Sequence, residues 1–284
     1  MNIIFVCTGN TCRSPMAEGY LKSLGFNSLT VCSRGFMADG DKVSENSAAV
    51  MKEIGIDISA HTSKTITKED VQNADKIICL SQNHILSLLS IGVSNEKLYL
   101  LGEGISDPYG GDISVYRQTR DEIISGINSL ICEGFFTDTY IKNGELADIE
   151  GIALIENDAF AHPWSKNAIE ESIKAGTKFF IAIKDNKAVG YMGLSAIAGE
   201  GYVTNVAVLE SYRKTGVGKQ LLIAATQWAQ EMKLEFISLE VRTSNEPAIK
   251  LYEKMEFERV AIRKRFYEDP TEDAIIMTRR FTEE

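Results

Sequence analysis

The chain has 284 residues, of which 44% are hydrophobic and 25% are charged, and its formal net charge is −10. These values are ordinary for a soluble globular protein, and the length suits two domains rather than one. No basic arm or cluster stands out against the acidic balance, which argues against direct binding of nucleic acid.

The first half of the chain alternates short apolar runs with helical patterns. Strands are predicted at residues 3–6, 29–32, 76–80 and 98–101, and helices at 15–24, 44–54, 68–73, 82–90 and 114–132. Strands separated by helices indicate an α/β domain, with a four-stranded parallel sheet and helices on both faces. Ligands of such sheets bind beyond the carboxyl ends of the strands, where a polar loop follows the first strand.

That loop has the composition of a phosphate-binding site that carries its own nucleophile. Its backbone N–H groups can point at a dianion, and the Arg13 guanidinium can bind two phosphate oxygens. The same positive field, together with the N-terminus of the next helix, favours a Cys7 thiolate, to which Ser14 can donate a hydrogen bond. The candidate residues are Cys7, Thr8, Gly9, Asn10, Thr11, Cys12, Arg13 and Ser14, followed by Pro15 in the first helical turn.

The segment from Val6 to Glu18 resembles the signature of the low-molecular-weight protein-tyrosine phosphatases. It is most similar to their bacterial branch, the protein arginine phosphatases. The resemblance extends to about residue 133 and includes Ser33-Arg34-Gly35, in which arginine replaces the usual alanine. It implies a phosphorylated protein as substrate, and it suggests a reversible Cys7–Cys12 disulfide as a redox brake.

Asp107 stands where this family has its general acid, in the segment Asp107-Pro108-Tyr109-Gly110-Gly111. In the implied reaction Cys7 attacks phosphorus, and the phosphoryl group becomes a thiophosphate ester. Asp107 protonates the leaving group and then activates the water that hydrolyses this ester.

Thr11 bears on the choice of substrate. The resemblance to the arginine phosphatases includes threonine here, whereas tyrosine-specific relatives usually carry a branched apolar residue that packs against an aromatic ring. A hydroxyl can meet a guanidinium or a bound water, which an aliphatic side chain would desolvate. We therefore favour phosphoarginine as the substrate and keep phosphotyrosine as the alternative.

Two other functions stay open for this half of the chain. One is a non-catalytic module that binds phosphoproteins and targets the other domain; the presence of Cys7, Arg13 and Asp107 together argues against it. The other is arsenate reduction on the same scaffold, which needs a resolving cysteine on a mobile segment. Cys79 lies on a predicted buried strand and suits that role poorly.

The segment Glu133–Asp138 predicts a boundary between a domain of residues 1–135 and one of residues 136–284. Ser165 is predicted to cap a helix. The alternation of elements indicates a mixed α+β domain. Helices are predicted at 146–160, 220–232 and 247–255, and strands at 179–183, 189–195, 202–208, 236–241, 259–263 and 274–278.

The loop between strand 202–208 and helix 220–232 forms a second candidate site. Gly216 and Gly218 can let the backbone approach a pyrophosphate at a helix N-terminus. With Pro163-Trp164-Ser165 and the segment from 240 to 245, this loop resembles the GNAT acetyltransferases, most closely the ribosomal-protein-alanine N-acetyltransferases. The resemblance covers about residues 140–280. It implies acetyl-CoA as co-substrate and the N-terminus of a ribosomal protein as acceptor.

This second resemblance matches Glu240 to the general base for the α-amino group and Tyr252 to the general acid for the departing thiolate. A splay between two strands would admit the pantetheine arm of coenzyme A. The residues expected to bind the cofactor are Val206, Ala207, Val208, Lys214, Thr215, Gly216, Val217, Gly218, Lys219 and Asn245. The two halves together predict a bifunctional enzyme.

The five cysteines and the N-terminus bear on the compartment. An odd number of cysteines at irregular spacing argues against a disulfide framework and for a reducing environment. The chain enters its first strand without a cationic leader, and no apolar run is long enough to span a bilayer. No Cys/His group has the spacing of a zinc site. We expect a cytoplasmic protein with no membrane partner and no metal.

Overall fold

We describe a computed structural model of the protein over residues 1–26 and 29–281. The chain divides into two compact units, Met1–Ser129 and Leu130–Glu284. The sequence-based boundary between residues 135 and 136 stays a prediction. Within the described residues, no helix has both the length and the apolar character that crossing a membrane requires.

Over the described residues, the first unit is built on the predicted parallel sheet of four strands. The strands are β1 (Asn2–Cys7), β2 (Thr30–Gly35), β3 (Lys76–Cys79) and β4 (Leu98–Leu100), in the spatial order β2-β1-β3-β4. The helices of this half are α1 (Arg13–Ser23), α2 (Glu45–Glu53), α3 (Lys68–Asn73), α4 (Gln82–Ser90) and α5 (Ile113–Cys132). Because all four strands run the same way, their carboxyl ends meet at one edge of the sheet.

The apolar character of β1 follows from its burial on both faces. Successive side chains of a strand point to opposite faces, so Ile4 and Val6 face one side while Ile3 and Phe5 face the other. Ile4 and Val6 belong to a buried cluster that includes residues of β3 and α4, and Ile3 and Phe5 are fully buried as well. Cys7 is the last residue of this strand and lies where the chain leaves the core.

In the part of the chain that the structure describes, the second unit has a mixed sheet of seven strands. The strands are β5 (Thr139–Asn143), β6 (Lys178–Lys184), β7 (Lys187–Ile197), β8 (Glu200–Val208), β9 (Phe236–Arg242), β10 (Glu258–Glu268) and β11 (Thr271–Arg280). Their order is β10-β11-β9-β8-β7-β6-β5, and neighbours are antiparallel except β8 and β9. The helices are α6 (Ile149–Ala159), α7 (Lys166–Lys174), α8 (Val217–Glu231) and α9 (Glu246–Lys254).

Two stretches of the second half differ from the sequence prediction. No strand is predicted at 139–143, yet β5 forms there because it pairs along β6, with Tyr140 opposite Ile183. The predicted helix at 146–160 begins instead with a 3₁₀ turn at Leu146–Asp148, and α6 follows it. Both differences depend on pairing or capping partners that hydrophobic periodicity does not report.

The ends of two further elements also differ. Helix α8 begins at Val217 rather than at 220, because Gly216 adopts a left-handed conformation with φ of 99° and serves as its N-cap. Strand β10 continues past the predicted end at 263 to Glu268, paired with β11 across an irregularity after Arg263. The predicted cap of α7 is confirmed, since the Ser165 hydroxyl accepts from a backbone N–H at 3.2 Å.

Arg34, the unusual residue of the Ser33-Arg34-Gly35 segment, has a structural partner. Its guanidinium donates to both carboxylate oxygens of Asp70, at 3.0 and 2.8 Å. Burial acts to raise the pKa of the Asp70 carboxyl, but the hydrogen bonds from Arg34 and Thr67 outweigh it and hold that pKa below its ordinary value. The bidentate pair therefore fastens the start of α3 to β2.

We expect Arg34→Ala to lower the free energy of unfolding of the first unit by about 2 kcal/mol, because it leaves a half-buried carboxylate without its cation. Tryptophan fluorescence does not report this unit, since Trp164 and Trp228 both lie in the second unit. The measurement is therefore a calorimetric scan, with tryptophan fluorescence recorded in parallel to identify the transition of the second unit. The other calorimetric transition belongs to the first unit and should move to lower temperature.

The same prediction carries a pH dependence. Because the folded state lowers the pKa of Asp70, the pair stabilises the fold above the unfolded value of about 3.9 and loses its effect as the pH falls through the folded value. The difference between Arg34→Ala and the parent should shrink in that acid range. Arg117→Ala is the matched control, since Arg117 pairs with Glu53 at an exposed site. An equal loss from both variants contradicts the prediction.

Candidate active sites

The Cys7 sulfur lies at the base of the loop that joins β1 to α1. The Asn10 backbone N–H donates to it at 3.2 Å, and the Ser14 hydroxyl oxygen lies 3.0 Å away. Cys7 is buried, with 3% of its surface exposed. An ionised sulfur can only accept hydrogen bonds, so both contacts then stabilise its negative charge.

Asn10 holds this loop in a backbone conformation that few residues adopt. Its φ is 54°, in the left-handed region, and its side chain is fully buried. The side-chain amide nitrogen donates to the hydroxyls of Ser14 and Ser33, both at 2.9 Å, while the amide oxygen accepts from the Lys64 N–H at 2.9 Å. Since the Ser14 oxygen accepts from Asn10, its own proton can go either to the Cys7 sulfur at 3.0 Å or to the Arg34 carbonyl at 3.4 Å.

The Ser33-Arg34-Gly35 segment, whose role sequence reasoning left unassigned, packs directly against the loop. The Ser33 hydroxyl accepts from Asn10 and donates to Glu18 at 2.5 Å. A Cβ atom on Gly35 would stand 2.7 Å from the Thr8 carbonyl oxygen and 2.9 Å from the Asn10 nitrogen. Contacts this short do not occur, so the loop requires glycine at this position. His61, another residue without a derived role, lies 3.0 Å from the Asn10 carbonyl oxygen through Nε2.

Arg13 and Asp107 form an ion pair beside the loop. Arg13 is 5% exposed, and one of its terminal nitrogens donates to Asp107 at 2.5 Å while the other donates to the Ile105 carbonyl at 3.1 Å. The Asp107 side chain is half exposed, and its other oxygen accepts from the Tyr109 N–H at 3.2 Å. The structure thus brings the predicted phosphate ligand and the predicted general acid into direct contact.

The other predicted loop residues line the same turn but contact different neighbours. The Thr8 hydroxyl lies 3.1 Å from His84 Nε2, and Thr8 itself is exposed. The Thr11 carbonyl accepts a backbone N–H from α2's capping residue at 2.9 Å. The Cys12 sulfur lies 3.5 Å from the Tyr116 hydroxyl, and burial raises the pKa of Tyr116 to about 12. Gly9 is partly exposed within the turn.

The second candidate site lies where β8 and β9 separate. These parallel strands pair from Glu200–Phe236 to Tyr202–Ser238, and in the described residues the register goes no further. Both strands nevertheless continue, β8 to Val208 and β9 to Arg242. The predicted splay is therefore present, and it leaves a slot between two strand edges whose backbone groups can pair with an extended ligand.

The glycine loop lies at the end of β8, next to this slot. Lys214 and Gly216 are both left-handed, with φ of 64° and 99°. Gly216 has no side chain with which to cap α8, so the first N–H groups of that helix can meet a phosphate. Arg213 fastens the loop to β8 by donating to the Val208 carbonyl at 3.1 Å.

Glu240 and Tyr252 lie in the same neighbourhood. Glu240 is on β9 beyond the last pair with β8, and one of its oxygens accepts from Arg263 at 3.2 Å. Tyr252 is buried on α9, and burial raises its pKa well above the ordinary value, so the phenol keeps its proton at neutral pH. Tyr267 interacts electrostatically with both residues. The sequence alone did not indicate the contact between Arg263 and Glu240.

The predicted cofactor residues divide into side chains that could reach the slot and side chains that could not. Ala207 and Val217 are buried in the protein interior, so only their backbone groups could contact a ligand. Asn245 caps α9 through its side-chain oxygen, which accepts from the Ala248 N–H at 3.3 Å. Burial lowers the pKa of Lys219. Of the remaining positions, Val206 and Val208 lie at the carboxyl end of β8, and Thr215 and Gly218 lie around the start of α8.

Comparisons with known proteins match a different family to each half of the chain. Residues 2–138 match the low molecular weight phosphotyrosine protein phosphatase family, and residues 147–257 match the acetyltransferase (GNAT) family. A protein-arginine-phosphatase of Bacillus subtilis is 38% identical over 136 residues, which cover 43% of this chain and 89% of the relative. A candidate ribosomal-protein-bS18-alanine N-acetyltransferase of the same organism is 33% identical over 143 residues, covering 50% of this chain and 95% of the relative. The chain belongs to both families.

The first half of the chain is thus a low-molecular-weight phosphatase domain and the second half a GNAT domain, and both families consist of enzymes. The phosphatase domain is also similar to arsenate reductase 2 of Staphylococcus haemolyticus, with 38% identity over 129 residues, covering 45% of this chain and 93% of the relative. Among residues 1–26 and 29–281, no group of three or more His, Cys, Asp or Glu side chains could hold a metal ion. That neither domain uses a metal stays a prediction.

We expect Gly35→Ala to lower kcat/KM of the phosphatase domain by about 10- to 100-fold, because the added Cβ displaces the loop that positions Cys7. The measurement is steady-state hydrolysis of a phosphorylated peptide by the full chain. Acetyl transfer by the same preparation is the internal control and should stay unchanged. Phosphatase activity equal to that of the parent would show that the contact with Thr8 does not constrain the loop.

Proposed function

We propose that the chain is a bifunctional enzyme. Its phosphatase domain would hydrolyse phosphoarginine in proteins, with phosphotyrosine as the alternative substrate. Its GNAT domain would transfer the acetyl group of acetyl-CoA to the N-terminal alanine of a ribosomal protein. The observation that carries the first activity is that the Asn10 N–H donates to the Cys7 sulfur, while the Ser14 hydroxyl oxygen lies 3.0 Å from the same sulfur.

Phosphoryl transfer would begin with attack of the Cys7 thiolate on phosphorus. The bond from phosphorus to the leaving group breaks as the sulfur–phosphorus bond forms, and the loop N–H groups and Arg13 neutralise the charge on the phosphoryl oxygens. Water then attacks phosphorus and releases inorganic phosphate and the Cys7 thiolate. Ser14 stabilises the sulfur as a leaving group in this second step.

The Arg13–Asp107 ion pair links binding of the phosphoryl group to the release of Asp107. A carboxylate paired with Arg13 has no proton to donate, so acid catalysis requires that the pair is broken. A phosphoryl dianion in the loop competes with Asp107 for the buried guanidinium. Because the Asp107 side chain is half exposed, it can then turn away from Arg13 and toward the leaving group. Binding of the phosphoryl group would therefore prepare the general acid.

Acetyl transfer would use the residues around the slot. Acetyl-CoA supplies a thioester carbonyl, and its fit is supported by the uncapped start of α8 and the unpaired edges of β8 and β9. Glu240 would accept the proton that the attacking ammonium group must lose, directly or through water. Arg263 holds one Glu240 oxygen, which orients the other toward the acceptor. Tyr252 would protonate the departing thiolate.

The similarities support the choice of partners. The phosphatase relatives include an enzyme named for protein arginine, and a GNAT relative is named for the alanine of ribosomal protein bS18. A phosphorylated protein and a ribosomal protein N-terminus are therefore the proposed partners. The cytoplasm is the proposed compartment, because a thiolate nucleophile must stay reduced.

Arsenate reduction is the less favoured function of the first domain. The proposed resolving residue, Cys79, is fully buried in β3, and burial raises its pKa to about 12. A thiol in that state is a poor nucleophile. Rapid-quench analysis with a phosphorylated peptide tests the phosphatase proposal directly. Accumulation of one phosphoryl group per Cys7 supports it, whereas binding without cleavage would favour the non-catalytic module.

Single substitutions should separate the two activities. Cys7→Ser should lower phosphatase turnover by about 10³-fold or more, because it removes the thiolate, and should leave acetyl transfer unchanged. Tyr252→Phe should do the reverse and lower acetyl transfer by about 10²-fold. Both activities are measured on the same preparations. A parallel loss of both in either variant would contradict two independent sites.

Thr11→Ile tests the substrate of the phosphatase domain. An aliphatic side chain removes the hydroxyl that a guanidinium could contact and adds apolar surface for an aromatic ring. The ratio of kcat/KM for phosphoarginine to that for phosphotyrosine, on peptides of the same sequence, should fall by about 10-fold or more. Thr11→Ser, which keeps the hydroxyl, should retain the parent ratio. An unchanged ratio in Thr11→Ile argues against the proposed preference.

A further inference from the structure

His84 is a buried imidazole that the proposed mechanism does not use. It lies in the first turn of α4, directly after β3, and is 5% exposed. Because β3 is parallel to β1 and next to it, His84 lies at the same edge of the sheet as the Cys7 loop. Its Nε2 lies 3.1 Å from the Thr8 hydroxyl, and its ring stacks on Phe36 with centroids 5.8 Å apart.

The surroundings of His84 determine which nitrogen carries the proton. In the described part of the structure, Nδ1 is buried without a hydrogen-bond partner. A buried N–H without an acceptor is rarer than an unfilled lone pair, so the proton belongs on Nε2. Burial lowers the pKa of His84 to about 4, and the charge of Arg13 acts in the same direction. A neutral His84 therefore donates its Nε2–H to the Thr8 oxygen.

This donation fixes the Thr8 hydroxyl with one lone pair still available. Thr8 follows the nucleophile directly and is exposed, and its backbone carbonyl is held by the Met37 N–H at 2.9 Å. His84 follows β3 and Asp107 follows β4, so both lie at the carboxyl edge of the sheet that holds the Cys7 loop, and the charges of Arg13 and Asp107 both act on His84. Asp107 is the proposed proton donor to the leaving group, so the leaving group would lie at this edge as well.

We propose that Thr8, oriented by His84, determines specificity by accepting a hydrogen bond from the guanidinium of phosphoarginine. A guanidinium offers several N–H donors in a plane and needs acceptors when it leaves water. A phenol ring presents no such donor at the corresponding edge. The inference rests on the proposed phosphoarginine activity and deepens it, since Thr8 would act in addition to Thr11. His84 is a positioning residue, which acts through Thr8.

The test measures kcat/KM of the full chain on phosphoarginine and phosphotyrosine peptides of the same sequence. Thr8→Val keeps the shape of the side chain and removes its hydroxyl. It should lower the ratio of kcat/KM for phosphoarginine to kcat/KM for phosphotyrosine by about 10-fold or more. His84→Leu should give the same pattern, while His84→Gln, whose amide can donate to Thr8, should restore most of the selectivity.

The outcomes separate this inference from the function on which it rests. A parent enzyme that prefers phosphotyrosine overturns both the proposed substrate and the inference. A parent that prefers phosphoarginine, with Thr8→Val losing activity equally on both peptides or on neither, overturns the inference alone. Acetyl transfer and the calorimetric transition of the first unit verify that each variant is folded. Should His84→Leu unfold the first unit, Thr8→Val with its two substrates still decides the question.

Discussion

The phosphatase half depends on the burial of one amide side chain. Asn10 is held in a left-handed turn by hydrogen bonds that use both hydrogens of its amide nitrogen and the oxygen of the same group. In this turn its backbone N–H donates to the Cys7 sulfur, and its side chain donates to the Ser14 oxygen, which lies 3.0 Å from the same sulfur. The energetic logic is that of a fully satisfied buried polar network, which is costly to break at any member. Gly35 allows the loop to pack this closely because it has no side chain, and any Cβ at this position would collide with the loop.

The ion pair between Arg13 and Asp107 adds a competition to this rigid frame. The guanidinium is buried and donates to two acceptors among the described residues, Asp107 and the Ile105 carbonyl. A phosphoryl group must therefore bind the guanidinium more strongly than Asp107 does in order to displace it. A dianion with several oxygens can do so, whereas a neutral ligand cannot. In the proposed mechanism this geometry would discriminate between ligands by charge and would keep Asp107 paired with Arg13 until a suitable ligand binds. His84 and Thr8 extend the network to the rim, where the leaving group would be distinguished.

The GNAT half meets a different constraint, which is the geometry of a single parallel pair in an otherwise antiparallel sheet. Strands β8 and β9 pair only as far as Tyr202 and Ser238, and beyond that point each keeps its other neighbour, β7 or β11. The slot can therefore open without loss of either strand. The start of α8 lies at one end of it, and Glu240 lies on its β9 wall, in contact with Arg263. Tyr252 is buried with a raised pKa, and in the proposed mechanism it would donate a proton while Glu240 accepts one.

The sequence alone determined the features that depend on residues close together along the chain. Apolar runs at strand length, the Cys7–Ser14 loop and the glycines at 216 and 218 were sufficient to predict both folds, the parallel sheet and the two families. The unpredicted features depend on partners that are distant along the chain: β5 forms by pairing with β6, Arg34 is matched to Asp70, and Ala207 faces the core. The contacts of Asn10 with Ser33 and Lys64, of Arg13 with Asp107, and of Thr8 with His84 are of the same kind. Spacing in a sequence fixes which groups can share a turn, but only tertiary packing decides which buried donor meets which acceptor.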